Sequence, residues 1–399
     1  MRLFLALLLF SYFSYSQAEY KYDAKSNNLP NWVNALYENT PNPGKVETLY
    51  NEYYKNHKFI KNKHTQYYKR WRRSLTREIN PPINFLPNKG GLELPQWYCL
   101  GPFDFDRHAA SSSYAAGAAH LYTVEQSKSN TNIVYAGGAT CGLWRSNDKG
   151  LNWFPLLETE LFINEVYSLE IDFLNPDIVY FSAGQNLYRT IDGGQNCELL
   201  YSLGFIKDIV MSPINNNIIF ICSEEGLFQL NTLDENIEEV LSGDILELEF
   251  HPNNSNTIYS VRQIDNKTEF LKSTNFGSTF EVFDNGWPDP SSNNEQLRTE
   301  ISVSPDSPDQ IVALATGSAN GGSGLYGIYV SSDQGENWEF RCCGDQPAGP
   351  PSSENINLMG WSHEGTDDGG QYYYDLALAV DPNNYNTIHV GGVNHWISN

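Results

Sequence analysis

The chain has 399 residues, 14% of them aromatic and 18% charged, which is enough to bury a large core and too apolar for a disordered segment. Its formal net charge of -23 excludes a general nucleic-acid binder, which must be attracted to phosphate. The charge is uneven, with 12 Lys/Arg against 4 Asp/Glu from Tyr20 to Arg77 and 12 against 42 from Pro81 to Asn399, so the two parts can attract each other.

Residues 1–18 read as an export signal. Arg2 precedes an apolar run from Leu3 to Phe13 that is too short to span a bilayer, and Ser16 and Ala18 put small residues ahead of a cleavage point. No cysteine follows that could carry a lipid, and no later segment is apolar enough for a membrane helix. The expectation is a secreted or cell-surface protein, handled by export machinery, that is not an integral membrane protein. Residues 19–80 form a basic, aromatic helical segment in which Tyr50, Tyr53, Tyr54, Tyr67, Tyr68 and Trp71 stand among lysines and arginines. Such a mixture suits nucleic acid or a membrane surface. Packing along the acidic domain that follows is the expectation adopted. Residues 81–96, with Pro81, Pro82, Gly90 and Gly91, form a linker.

From residue 97 the pattern changes to short apolar runs broken by Pro, Asn and Asp. The stretch Ser146 to Trp153 reads Ser-x-Asp-x-Gly-x-x-Trp through Ser146, Asp148, Gly150 and Trp153. It returns with Asp192 and Gly194, with Asn275 and Gly277, and with Asp333, Gly335 and Trp338; a worn copy starts at Asn231 and a partial one at Ser398. In a tight hairpin, Asp or Asn accepts backbone N–H bonds, Gly supplies positive φ and the aromatic ring packs between sheets. Taking Ser146, Thr190, Asn231, Ser273, Ser331 and Ser398 as starts gives spacings of 44, 41, 42, 58 and 67. A period near forty residues with four short strands predicts an all-β fold: a β-propeller of four-stranded blades spanning residues 97–399, six repeats visible and incomplete. Because the chain stops inside the sixth copy, the reading expects a truncated product whose sixth blade would draw its fourth strand, and further blades, from beyond Asn399.

Six cysteines in an exported chain permit disulfides, but no spacing selects a pairing; Cys222 reads as a buried free thiol. No paired CxxC supports a metal, and no cofactor is expected.

Strands alternate in direction, so the turns carrying Asp148, Asp192 and Asp333 share one face, and these aspartates read as turn residues only. The long segments Glu281 to Gln296, Arg341 to Tyr372 and the loop Gly317 to Gly327 fall on the opposite face, where a ligand is expected. There Trp361, His363, Glu364, Asp367 and Tyr373 combine an aromatic platform with polar groups that suit carbohydrate; calcium is a weaker possibility, since the regular Asp spacing of a calcium loop is missing. Asp104 and Asp106 lie on one side of an extended segment, for which a solvated leading strand is the simpler reading. With Asp368 and Asp375 they are the weak candidates for a catalytic carboxylate pair.

These motifs resemble the Asp-box (BNR-like) propellers of the sortilin and xyloglucanase-like group, in particular exported Bacteroidetes proteins carried by type IX secretion. The resemblance rests on Leu49 to Tyr54 with Tyr67 to Trp71, on Ile133 to Trp153, and above all on Gly369 to Pro382 with Val390 to Trp396. It implies a sorting domain beyond the propeller. For a xyloglucanase it also implies a catalytic Asp in the first blade, at the position Ala139 occupies, and Ala136 to Leu143 holds no carboxylate. A sialidase would need an arginine cluster that the chain lacks. The expected function is binding of a polysaccharide or protein ligand through the loop face, with glycoside hydrolysis as the alternative.

Overall fold

The computed structural model describes residues 29–69, except 39–40, 61, 63 and 66, and residues 97–398, except 102–120, 140–141, 158–164, 291–293, 320–321, 344–355 and 373–374. The export signal, the linker, Trp71, Asp104, Asp106 and Tyr373 lie outside the described residues, as do the side chains of Cys99 and Cys141. The chain divides into two compact units.

The first unit is helical. Helix α1 (Asn31–Leu36) is followed by α2 (Pro43–Asn56), which starts with Pro43 in its first turn and Asn42 as its cap, the Asn42 side chain accepting from Lys45 N at 3.0 Å. Trp32 is buried against Tyr50, edge to face at 5.0 Å, and Tyr50 stacks on Tyr68 at 4.0 Å. The aromatic residues that the sequence sets among basic ones therefore build this unit's own core.

The second unit is a ring of six four-stranded antiparallel blades. Strand β1 (Trp97–Gly101) comes first among the described strands but belongs to the last blade. Blade one is β2 (Leu121–Gln126), β3 (Val134–Gly138), β4 (Gly142–Ser146) and β5 (Phe154–Pro155). Blade two is β6 (Leu169–Ile171), β7 (Val179–Ala183), β8 (Asn186–Thr190) and β9 (Glu198–Ser202). Blade three is β10 (Ile206–Met211), β11 (Ile218–Ser223), β12 (Gly226–Asn231) and β13 (Asn236–Ser242). Blade four is β14 (Asp244–Phe250), β15 (Ile258–Ile264), β16 (Lys267–Ser273) and β17 (Glu281–Val282). Blade five is β18 (Glu295–Ser304), β19 (Ser307–Ala319), β20 (Gly322–Ser331) and β21 (Glu339–Cys342). Blade six is β22 (Ala377–Val380), β23 (Ile388–Gly391) and β24 (His395–Ser398), and β1 pairs with β24 as its outer strand. The fourth strand that the sequence reading sought beyond Asn399 is thus supplied from the start of the propeller.

The second strands are buried along their whole length in blades one and two, so the core lies between blades. The hairpin turns between third and fourth strands repeat one arrangement. In blade five the buried Ser331 hydroxyl donates to Asp333 Oδ1 at 2.8 Å and accepts from Gly335 N at 2.8 Å, while Asp333 takes Asn337 N at 2.9 Å. Gln334 and Gly335 both hold positive φ, 61° and 86°, and a Cβ on Gly335 would come within 2.1 Å of Phe270 in blade four. Glycine is required twice over: for the turn and for seating the neighbouring blade's ring. Asn231 begins a simpler turn without the glycine, with Glu235 at positive φ.

Two segments differ from the sequence reading. Gly317 to Gly327 is mostly ladder: Gly317 pairs with Gly324 and Ala319 with Gly322 in an extension of the β19–β20 hairpin. The small residues that read as a loop let this extension lie against β18, where a Cβ on Gly317 would meet Glu295 O at 1.9 Å. The segment between blades four and five is likewise packed, because Trp287 is buried, donates to Thr268 O at 3.0 Å and meets Trp338 edge to face at 4.7 Å. Cys222 is a buried free thiol, as the sequence suggests, and Cys342 is joined to Cys343.

Candidate functional site

The first strands of the six blades surround a central channel of about 820 Å³. An inner strand has one edge with no strand to pair, so its N–H groups must find other acceptors. Side chains of the preceding blade supply them. Glu125 Oε2 accepts from Ile171 N at 2.7 Å, Asp208 Oδ2 from Leu248 N at 3.4 Å, Glu247 Oε2 from Ile301 N at 2.6 Å and Ser302 Oγ from Val380 N at 3.2 Å. Glu170 takes Met211 N in the same way. These side chains stitch blade to blade in chain order.

The same carboxylates, with Glu249 and Glu300, make the throat acidic. Each is only partly exposed and is otherwise walled by protein. Burial, reinforced by neighbouring acids, pushes Glu125 up to about 7, Asp208 to about 6 and Glu249 to about 8. Burial also carries Glu170 and Glu247 well above the usual carboxylate range. Glu249 is thereby held toward its neutral form.

The mouth at which the first strands begin is built differently. The first strands of blades one, three, four and five carry β-bulges there, at Leu121/Thr123, Ile206/Asp208, Ile245/Glu247 and Gln296/Thr299. A bulge re-aims the extra side chain, and the residues it releases here, including Tyr122, Lys207, Leu246 and Arg298, line the channel. Tyr122, Tyr167 and Phe205, from three consecutive blades, form an arc of half-buried rings 4.9 Å apart at each step. Lys207 pairs with Asp244. Arg298 pairs with Glu300 at 2.6 Å, donates to Leu376 O at 3.3 Å and places its guanidinium 5.6 Å from the Tyr167 ring centroid. Tyr372, at the end of the long segment before blade six, completes the mouth. This is the face of the blade-to-blade connections, opposite the turns that hold Asp148, Asp192 and Asp333.

The residues nominated from sequence are distributed over several places. Trp361, His363, Glu364 and Asp367 come together in one turn: Trp361 is 43% exposed, His363 Nε2 lies 2.9 Å from Glu364, and Asp367 Oδ2 accepts from Ser362 N at 2.6 Å. Asn394 holds this turn through Gly360 O at 3.2 Å and Ser362 O at 3.1 Å. None of these four lines the channel, and neither do Asp368 and Asp375. Asp148, Asp192 and Asp333 are held below the usual carboxylate range, Asp192 to about 2 through Asn196, in the peripheral turns. Among the described residues no group of three or more His, Cys, Asp and Glu is arranged to hold a metal ion, and no helix is long and apolar enough to cross a membrane. The channel acids were missed from sequence. Their signal was an acid recurring among apolar residues in successive first strands, at Glu125, Glu170, Asp208, Glu247 and Glu300.

No protein-family model and no curated protein matches the chain. Among solved structures it is similar to an ancestral GH74 enzyme, with TM-score 0.51 and 17% identity over 68% of this chain and 34% of that one. It is also similar to the GH74 xyloglucanase from Xanthomonas campestris, with TM-score 0.43 and 14% identity over 76% and 53%. An auxiliary nutrient binding protein from Bacteroides thetaiotaomicron gives TM-score 0.48 and 12% identity over 71% and 69%. The chain thus spans about a third of the first enzyme and about half of the second. The likeness to the ancestral GH74 enzyme, at 17% identity, shows the fold alone.

Proposed function

We propose that this propeller is an exported binding module that takes a polysaccharide chain at the loop-face mouth of its channel. What carries the reading is the arc of Tyr122, Tyr167 and Phe205 above a floor of carboxylates. Ring faces suit the apolar faces of sugars, and carboxylates accept their hydroxyls, the combination of apolar lining and few placed polar groups typical of ligand sites. Trp361, with His363, Glu364 and Asp367, offers a second platform on the same connection that ends at Tyr372; Tyr373, which follows, lies outside the described residues. The GH74 neighbours, at low identity, make plant-type glucans such as xyloglucan the first ligands to try. Export rests on the character of residues 1–18. Calorimetric titration with xyloglucan and β-glucan oligosaccharides is the test: Phe205→Ala and Tyr167→Ala are expected to weaken binding about tenfold or more, a loss of about 1.4 kcal/mol. Undiminished binding in both folded variants would exclude the channel mouth as the site.

One observation favours hydrolysis as a second reading. A carboxyl raised by burial, as Glu249 is, is what a general acid requires. Against it stands Ala139, at the end of the first blade's second strand, where the resemblance calls for an Asp. Turnover of a β-glucan that Glu249→Gln abolishes would establish the enzyme; its absence is the expected result.

A further inference from the structure

His389 on β23 and His395 on β24 stand diagonally across one face of the sixth blade. Nδ1 of His389 lies 3.0 Å from Nε2 of His395, with the ring centroids 5.2 Å apart. His395 is exposed and His389 partly so. The residues opposite His395 in the ladder are Gly391 on β23 and Gly101 on β1.

Two neutral imidazoles reach this spacing by sharing one N–H. It is also the spacing of two nitrogens on one metal ion: with metal–nitrogen bonds of about 2.0–2.1 Å, neighbouring coordination positions place the nitrogens about 2.9–3.4 Å apart. Metal binding requires the donor ring to carry its proton on its other nitrogen, an exchange that solvent mediates, and both rings to turn by about 40° so that their lone pairs converge on one ion. Among the described residues no third His, Cys, Asp or Glu completes a cluster. A pair of imidazoles without carboxylates favours copper, nickel and zinc over calcium and magnesium.

We propose that His389 and His395 form a two-histidine site for a late first-row divalent metal, clamping β23 to β24 in the blade that closes the ring. The site is independent of the channel. A ligand that binds the folded state alone raises its stability. The experiment is thermal unfolding of the full chain, stripped with chelator, with and without excess ZnCl2, for wild type, His389→Ala, His395→Ala and the control His363→Ala. Zinc is expected to raise Tm by about 2–5 °C in wild type and in the control, and to leave both ladder variants unmoved. No shift in wild type, a shift retained in His395→Ala, or an equal shift with CaCl2 would each overturn the proposal. Electron paramagnetic resonance with one equivalent of Cu2+ adds a readout that needs no variant: coupling to two nitrogens is expected, and coupling to one rules out the chelate.

Discussion

Arg298 and Tyr167 meet across the channel: the guanidinium of blade five lies 5.6 Å from the ring centroid of a residue in blade two, on the opposite side of the ring. With Glu300 at 2.6 Å on its own strand, Arg298 is a strut at the mouth.

Removing the strut leaves Glu300 uncompensated among other acids. Arg298→Ala should lower stability by about 2–4 kcal/mol, and Arg298→Ala with Glu300→Ala should recover part of that loss. Urea midpoints of the four proteins of this cycle measure it. Additive single effects would mean that the pair is not coupled.

The channel acids set a pH dependence of definite sign. Glu125, Asp208 and Glu249 are raised to about 7, 6 and 8, so the folded state holds more protons than the unfolded chain, and their contribution is lost as pH rises through those values. Asp148, Asp192 and Asp333 act in the opposite direction, losing their contribution as pH falls through their lowered values. Stability should peak near pH 4–5, about where unfolded carboxyls titrate, and Tm should fall between pH 5 and 8. Glu249→Gln should flatten that fall; an unchanged slope would remove Glu249 from the account.

The peripheral turns should matter to stability alone. Ser331→Ala strips Gly335 N of its acceptor and Asp333 of a donor at a fully buried position, a loss of about 1–3 kcal/mol. Chemical denaturation reads the loss and calorimetry should show unchanged saccharide affinity. Weakened binding in a folded variant would shift the ligand to that face.

Trp287→Ala should cost about 3–5 kcal/mol, because the ring fills the space between Phe270 and Trp338, at 5.5 and 4.7 Å. A change under about 1 kcal/mol, the range of surface substitutions, would show the segment to be loosely attached.

The blades were legible because the hairpin turns of blades one, two, four and five use the same few residue types: a hydroxyl, as at Ser146 or Ser331, an acceptor two residues on, and a glycine at positive φ. The extension of β19 and β20 was not, since Gly317, Ser318 and Gly324 read as a loop when side chains are weighed and as a ladder when backbone N–H groups are. Glu125 and Glu247 escaped notice for a related reason. An acid in a strand normally marks a solvent face, whereas here it serves the unpaired edge of the next blade. The site at the mouth depends on bulges at Tyr122, Lys207 and Arg298, which alternation of apolar and polar residues does not encode.

The pairing of β1 with β24 also orders events in time. Trp97 faces Ser398 in the ladder, about 300 residues away along the chain, so this contact carries the largest loop-closure cost in the propeller. During synthesis β1 emerges early and has no partner until five blades have been made, and β24 in turn begins life with an open edge. Between those moments the strand of one molecule and the edge of another are as complementary as the two within a single chain. Crowding of nascent copies should then favour strand exchange over a closed ring.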